Sequence, residues 1–288
     1  MKSSALVFCI LFSSVALSHA DTLKVSSFST ITTDIAKNVG GNDVEITPLV
    51  KPGVDPHEFQ PSPSDIKAVS ESDVVLLTGK GIEGYLTKLK EGGGKATFVD
   101  TGAAFPSLRM EEDGKKIEDP HWWHSISNVK KATKVVEAAF IKADPAHAKD
   151  YEKNTKDYLA KLDDLEAWAK EKISTLPREK RKLVTSHDAF QYFARDFGFK
   201  IYAIEGVSTE DEPSSKKVAD LIKTIKDEGV KAVFFENIEN PKVIQEITKE
   251  TRAKVGGELY ADGLGDKDAT TYIDMVKYND TTIVDSLK

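Results

Sequence analysis

Short runs of β-branched and aromatic residues alternate along this chain with longer stretches whose apolar positions recur every three or four residues. The first pattern reads as buried strands and the second as amphipathic helices. Strands are predicted at 23–28, 44–50, 74–78 and 96–99, with helices near 30–39 and from Ser64 onward. The same grammar returns after Pro177, with strands at 182–185, 200–204, 232–235 and 254–260. Helices are predicted there near 189–197, 214–228, 242–251 and 268–279. Strand followed by helix, repeated, is the signature of α/β architecture with mostly parallel sheets. Two pseudo-symmetric βα lobes follow, although their sequences are too dissimilar to be read as a repeat.

Between the lobes the pattern changes. Tyr151, Tyr158, Leu162, Leu165, Ala169, Ile173 and Leu176 mark one apolar stripe over 144–176. Pro145 suits a helix start, Asp144 can cap it, and Pro177 ends it. No Gly and no internal Pro interrupts the stretch, so a single helix of about 45–50 Å is expected, at about 1.5 Å per residue. The organisation is therefore a leader at 1–20, a lobe at 21–143, a linking helix at 144–176 and a second lobe at 177–288.

The leader is read from Lys2, the apolar stretch at 5–17 and the small-x-small Ser18-His19-Ala20, which together fit an export signal cut before Asp21. Cleavage removes Lys2 and Cys9, leaving 39 basic and 47 acidic residues, a net charge of −8, and no thiol. Cys9 lies deep in the apolar stretch, so lipid anchoring is not expected. A metal site in the mature chain must then use nitrogen and oxygen donors. The acidic balance, without a basic stripe interleaved with aromatics, disfavours nucleic acid. No later apolar run approaches the roughly 20 residues that span a bilayer, so no membrane insertion of the mature chain is expected.

The chemistry is concentrated in histidines. His57, His121, His124 and His187 lie in loops or at strand ends beside Pro, Ser or Asp, whereas His147 falls in the first turn of the long helix and reads as a solvated surface residue. His57 and His121 each follow an Asp-Pro pair. His187 follows the strand at 182–185, and Asp262 follows the one ending at Tyr260. Ligands of open α/β sheets collect beyond the carboxyl ends of strands, so His57, His187 and Asp262 are placed to face one crevice. Neutral imidazoles suit Zn, Ni and Cu, and a carboxylate adds an oxygen donor that Mn accepts. Three His and one Asp make a four-coordinate site, with either His121 or His124 as the member from the Asp-Pro-His-Trp-Trp-His run.

Val54-Asp55-Pro56-His57-Glu58-Phe59 through Ser64-Asp65, Asp119-Pro120-His121-Trp122-Trp123, Ser186-His187-Asp188-Ala189-Phe190, the run from Gly206-Val207-Ser208 to Glu212-Pro213-Ser214, Phe234-Phe235-Glu236 and Leu259-Tyr260-Ala261-Asp262 occur in one order along the chain. In these motifs the sequence resembles the zinc/manganese solute-binding family of bacterial ABC importers. The resemblance implies two α/β lobes joined by a rigid helix, with metal held between them by His57, His121, His187 and Asp262. Glu236 matches a position close to the site, in a supporting role. It further implies a periplasmic carrier, expected to be monomeric, that delivers Zn2+ or Mn2+ to a membrane permease powered by an ATPase.

Two departures and one counterweight bear on the site. His124 stands where family members usually carry an apolar residue. The acidic stretch at 107–119 lacks the histidines that many zinc importers have there, and His187 stands where manganese-type members often place Glu. The last two pull in opposite directions and leave Zn2+ and Mn2+ both open. The alternatives are a metal-dependent surface adhesin, for which an exposed apolar patch is expected, and a zinc hydrolase. The chain lacks His-Glu-x-x-His, and only Glu58 and Glu236 offer themselves as general bases, so no catalytic residue is assigned.

Overall fold

The computed structural model describes residues 22–92, 94–112, 115–209, 214–236 and 242–288. The leader read at 1–20 lies outside the described residues. Chain order gives β1 (Leu23–Ser27), α1 (Thr30–Gly40), β2 (Val44–Pro48), α2 (Pro63–Ser70), β3 (Val74–Leu77), α3 (Leu86–Gly92) and β4 (Thr97–Asp100). A hairpin of β5 (Arg109–Glu112) and β6 (Lys115–Glu118) precedes α4 (Ile126–Ala143) and α5 (Ala148–Ser174). The remainder is β7 (Lys182–Thr185), α6 (Gln191–Phe197), β8 (Lys200–Ala203), α7 (Ser215–Glu228), β9 (Ala232–Glu236), α8 (Lys242–Glu250), β10 (Lys254–Leu259) and α9 (Tyr272–Leu287).

Two parallel four-stranded sheets carry the architecture, in the orders β2-β1-β3-β4 and β8-β7-β9-β10. The two orders correspond strand for strand, so the pseudo-symmetry expected from the sequence is present in the topology. In each sheet the chain first adds a strand on one side of its opening strand and then crosses to the other. A switch point therefore lies between β1 and β3, and another between β7 and β9, where side chains at strand ends converge.

The long helix is the shared strut. Every residue of the anticipated stripe is buried, from Tyr151 to Leu176. Tyr151, Tyr158, Leu162, Leu165 and Ala169 pack with α1, α4 and α9 in one apolar core. Ile173 and Leu176 pack in a second, with Leu183, Phe190 and Phe193. At 27 residues α5 runs about 40 Å. The α-helix proper starts three residues later than read, after a 3-10 turn at Pro145–His147. Asp144 makes no capping bond; its Oδ2 accepts from His147 Nδ1 at 2.6 Å and from the Tyr151 hydroxyl at 2.8 Å. His147 is therefore half-buried and paired rather than standing free in solvent.

Four further elements differ from the sequence reading. Helix α4 was not anticipated, because Asn128, Ala132 and Thr133 interleave its buried face and dilute the apolar stripe. Helix α3 was likewise unread. The 107–119 stretch forms a hairpin, with Met110 opposite Ile117, rather than an acidic loop. Helix α9 begins later than read because Thr271 caps it, its hydroxyl accepting from Asp274 N at 3.2 Å. Among the described residues no helix is long and apolar enough to cross a membrane.

Candidate metal centre

His57 lies in the loop after β2, His121 between β6 and α4, His187 just after β7, and Asp262 after β10. All four are brought together, each offering one donor atom within 4.8 Å of the others. His121 Nε2 lies 3.2 Å from His57 Nε2 and 3.2 Å from His187 Nε2. Asp262 Oδ1 lies 3.5 Å from His57 Nε2 and 3.3 Å from His121 Nε2, and its Oδ2 lies 3.3 Å from His187 Nε2. Donors about 2.0–2.2 Å from a tetrahedral ion are separated by about 3.3–3.6 Å, and the five separations of 3.2–3.5 Å lie close to that spacing.

Local structure explains each placement. Both Asp-Pro-His runs fold the same way: Asp55 Oδ1 accepts from His57 N at 2.8 Å, and Asp119 Oδ1 from His121 N at 2.9 Å. The aspartate side chain thus forms a turn on its own backbone, with proline fixing φ between acceptor and donor. Trp122 and Trp123 follow as buried anchors, their indole N–H groups donating to the carbonyls of Thr78 and Ala261 at 3.0 and 2.7 Å. Asp262 extends from β10, where the Asn279 side chain donates to Tyr260 O at 2.8 Å and accepts from Tyr260 N at 3.0 Å. His187 and Glu236 end β7 and β9, adjacent strands at the second switch point.

Two carboxylates fix the tautomers. Asp119 Oδ1 accepts from His121 Nδ1 at 2.8 Å, and Glu236 Oε2 accepts from His187 Nδ1 in a short bond. Ionised carboxylates only accept, so Nδ1 of both rings carries a proton and the neutral imidazole presents its lone pair at Nε2. Two such lone pairs 3.2 Å apart cannot hydrogen-bond to each other; they point at a common cation position. Both oxygens of Asp262 are buried and receive no hydrogen-bond donor among the described residues. A buried carboxylate in that condition fits a cation.

The electrostatics agree. Burial alone would lower the His121 pKa, but the bonded Asp119 carboxylate and the nearby Asp262 carboxylate outweigh burial and raise it to about 9. His187, equally buried, is raised well above the ordinary range by Asp262 and Glu236. Burial would raise Asp262, yet the neighbouring imidazoles, His187 foremost, hold it well below the carboxylate range. When no cation is bound, protons on the two rings balance the acidic groups around them.

His124 points elsewhere. Its Nε2–H donates to Ala261 O at 2.8 Å, its ring stacks on Phe190 with centroids 4.3 Å apart, and burial pushes its pKa down to about 3. Of the two general bases considered, Glu58 is exposed and Glu236 is committed to His187. Asp119 was given no role from the sequence, although the repeated Asp-Pro-His carried the signal. Glu236 stands 49 residues from His187, and only the β7–β9 adjacency brings them together.

Comparison with known proteins agrees with this architecture. The manganese-binding lipoprotein MntA of Bacillus subtilis (strain 168) is 34% identical over 302 residues, covering 98% of this chain and 99% of that protein. The iron-binding protein YfeA of Yersinia pestis is 33% identical over 296 residues, covering 98% and 95%. Among solved structures, the periplasmic zinc-binding protein TroA from Treponema pallidum superposes with a TM-score of 0.87 at 29% identity, covering 93% of this chain and 99% of that one. With residues 25–286 matched by it, the chain belongs to the family described as zinc-uptake complex component A, periplasmic.

Proposed function

We propose that this protein is the periplasmic substrate-binding component of an ABC importer, capturing a divalent transition metal at His57, His121, His187 and Asp262 and passing it to a membrane permease driven by an ATPase. The observation that carries the reading is the convergence of three imidazole Nε2 atoms on the donor-free carboxylate of Asp262. The relatives' names, which specify manganese, iron and zinc, support a transition-metal cargo. Capture exchanges the protons on His121 and His187 for one 2+ ion, so the buried charge is nearly conserved and loading brings no uncompensated charge into the interior. Zn2+ and Mn2+ are both compatible with the donor set; the general affinity order favours Zn2+, and site geometry, ligand type and metal availability select the cargo.

Residues 21–143 and 177–288 are proposed as two lobes, with 144–176 as the link. Four protein donors around one point leave no open coordination position for a reacting water, so no observation favours the hydrolase alternative. The test is metal analysis of the chain purified without added ions, followed by competitive titration of Zn2+ against Mn2+. One ion per chain in the native protein, and its loss in Asp262→Ala, is the expected result; undiminished binding in both Asp262→Ala and His57→Ala overturns the reading.

A further inference from the structure

His57 differs from the other three members of the centre. The side chains of His121, His187 and Asp262 are 0–1% exposed, whereas that of His57 keeps 7% exposure, on a loop whose preceding residues, Lys51 to Val54, are exposed. His121 is braced by Asp119 and two core tryptophans, and His187 by Glu236. The brace for His57 is Asp55, and its carboxylate does two jobs. Oδ1 shapes the loop by accepting from His57 N at 2.8 Å. Oδ2 accepts from the Thr209 hydroxyl at 2.6 Å, across 154 residues of sequence. Thr209 lies in the loop after β8, the strand that occupies in the second sheet the place β2 holds in the first. One carboxylate therefore ties the most accessible metal donor to the loops of the opposite sheet.

We propose that Asp55 and Thr209 form a latch that holds His57 in its coordinating position and sets the rate of metal release; this rests on the metal-carrier reading above. For the ion to leave, His57 must swing outward on its loop. The loop cannot carry Asp55 away until the Thr209 hydroxyl lets go. The latch acts on a donor already bonded to the ion, so its loss shows chiefly in the dissociation rate. Both are positioning residues, since neither has a donor atom among the four that converge.

The test uses the full chain with Thr209→Val, which keeps the shape and removes the hydroxyl, beside Thr209→Ser, which keeps the hydroxyl and removes the methyl. Each is loaded with Zn2+, and dissociation is followed by stopped flow against excess chelator. A hydrogen bond to a charged acceptor is worth at least about tenfold in an equilibrium or rate ratio. The expected result is release about tenfold faster in Thr209→Val and wild-type release in Thr209→Ser. Release within twofold of wild type in Thr209→Val, or equal acceleration in both variants, overturns the latch. His57→Ala and Asp262→Ala are the controls: if both retain wild-type affinity, the carrier reading itself fails, and this is distinguishable from a failed latch on an intact site.

Discussion

Asp119 Oδ1 accepts two hydrogen bonds from one residue, His121, taking the backbone N–H at 2.9 Å and the ring Nδ1–H at 2.8 Å. A single carboxylate oxygen thereby fixes where the histidine sits, how its ring is turned and which nitrogen faces the ion. Asp119→Asn keeps an oxygen that can accept both bonds but removes the charge. A partner of this kind supports roughly 10- to 100-fold in metal affinity. The variant is expected to fold, to bind one ion, and to weaken binding by about that factor in competitive titration. Affinity equal to wild type would show that the imidazole is oriented by packing alone.

His124 provides the opposite expectation. Its ring is committed to Ala261 O and to Phe190, and Trp123 donates to the same carbonyl, so the acceptor stays satisfied when His124 is replaced. His124→Phe keeps the stacking. It is expected to retain one ion per chain with affinity within about threefold of wild type, whereas His121→Ala, which removes a donor rather than a supporting partner, should lose more than about 100-fold. Comparable losses in the two variants would mean that His124 also contacts the ion.

These two histidines, three residues apart, show how far the sequence could be read. Period and strand grammar were legible because β3 and β9 are largely buried apolar runs, and the α5 stripe was legible because one face meets a core throughout its length. The motif residues His57, His187 and Asp262 were legible as strand-end positions. The hairpin β5–β6 was not, since an edge ribbon carrying one apolar residue per strand gives little alternation to detect. Nor was the partner of Glu236, whose supporting role came from the resemblance alone, because that partner is chosen by strand order, a tertiary property that no local spacing encodes. Asp144 shows the converse limit: a sound capping residue at the right place was drawn instead to His147 and Tyr151.

The raised pKa of His121 sets a pH dependence with opposite signs for the unloaded and loaded protein. Burial disfavours its charged form, but Asp119 and Asp262 prevail and lift the folded pKa from 6.5 to about 9. A proton held more tightly in the folded state stabilises the unloaded protein fully below pH 6.5, and that contribution fades as pH rises through about 9. Metal must displace the proton, so affinity rises with pH over the same window, by up to about tenfold per unit for each proton released. The unloaded melting temperature is therefore expected to fall from pH 6.5 to 9 while the increment produced by saturating Zn2+ grows. Thermal unfolding with and without metal across this range checks both signs, and a pH-independent increment would contradict the exchange of protons for the ion.

Stability of the strut can be separated from the metal. The Tyr158 hydroxyl on α5 donates at 3.0 Å to Asp34 Oδ2 on α1, and Asn38 Nδ2 reaches the same oxygen at 3.3 Å. Burial raises the Asp34 pKa, and the Tyr158 bond draws it partly back. Tyr158→Phe preserves the packing but leaves this carboxyl with a weaker partner in a buried setting, at a cost of about 1–3 kcal/mol. That cost corresponds to a fall of several degrees in melting temperature, at roughly 2–4 °C per kcal/mol for a chain somewhat smaller than this one. The loss should shrink as pH falls through the raised pKa of Asp34, because protonation neutralises the carboxyl and burial then penalises it less. Metal affinity should not change, since neither residue is part of the metal centre. If Tyr158→Phe instead weakened metal binding without lowering the melting temperature, the bond would serve to couple α1 and α5 to the centre rather than to hold the strut in place.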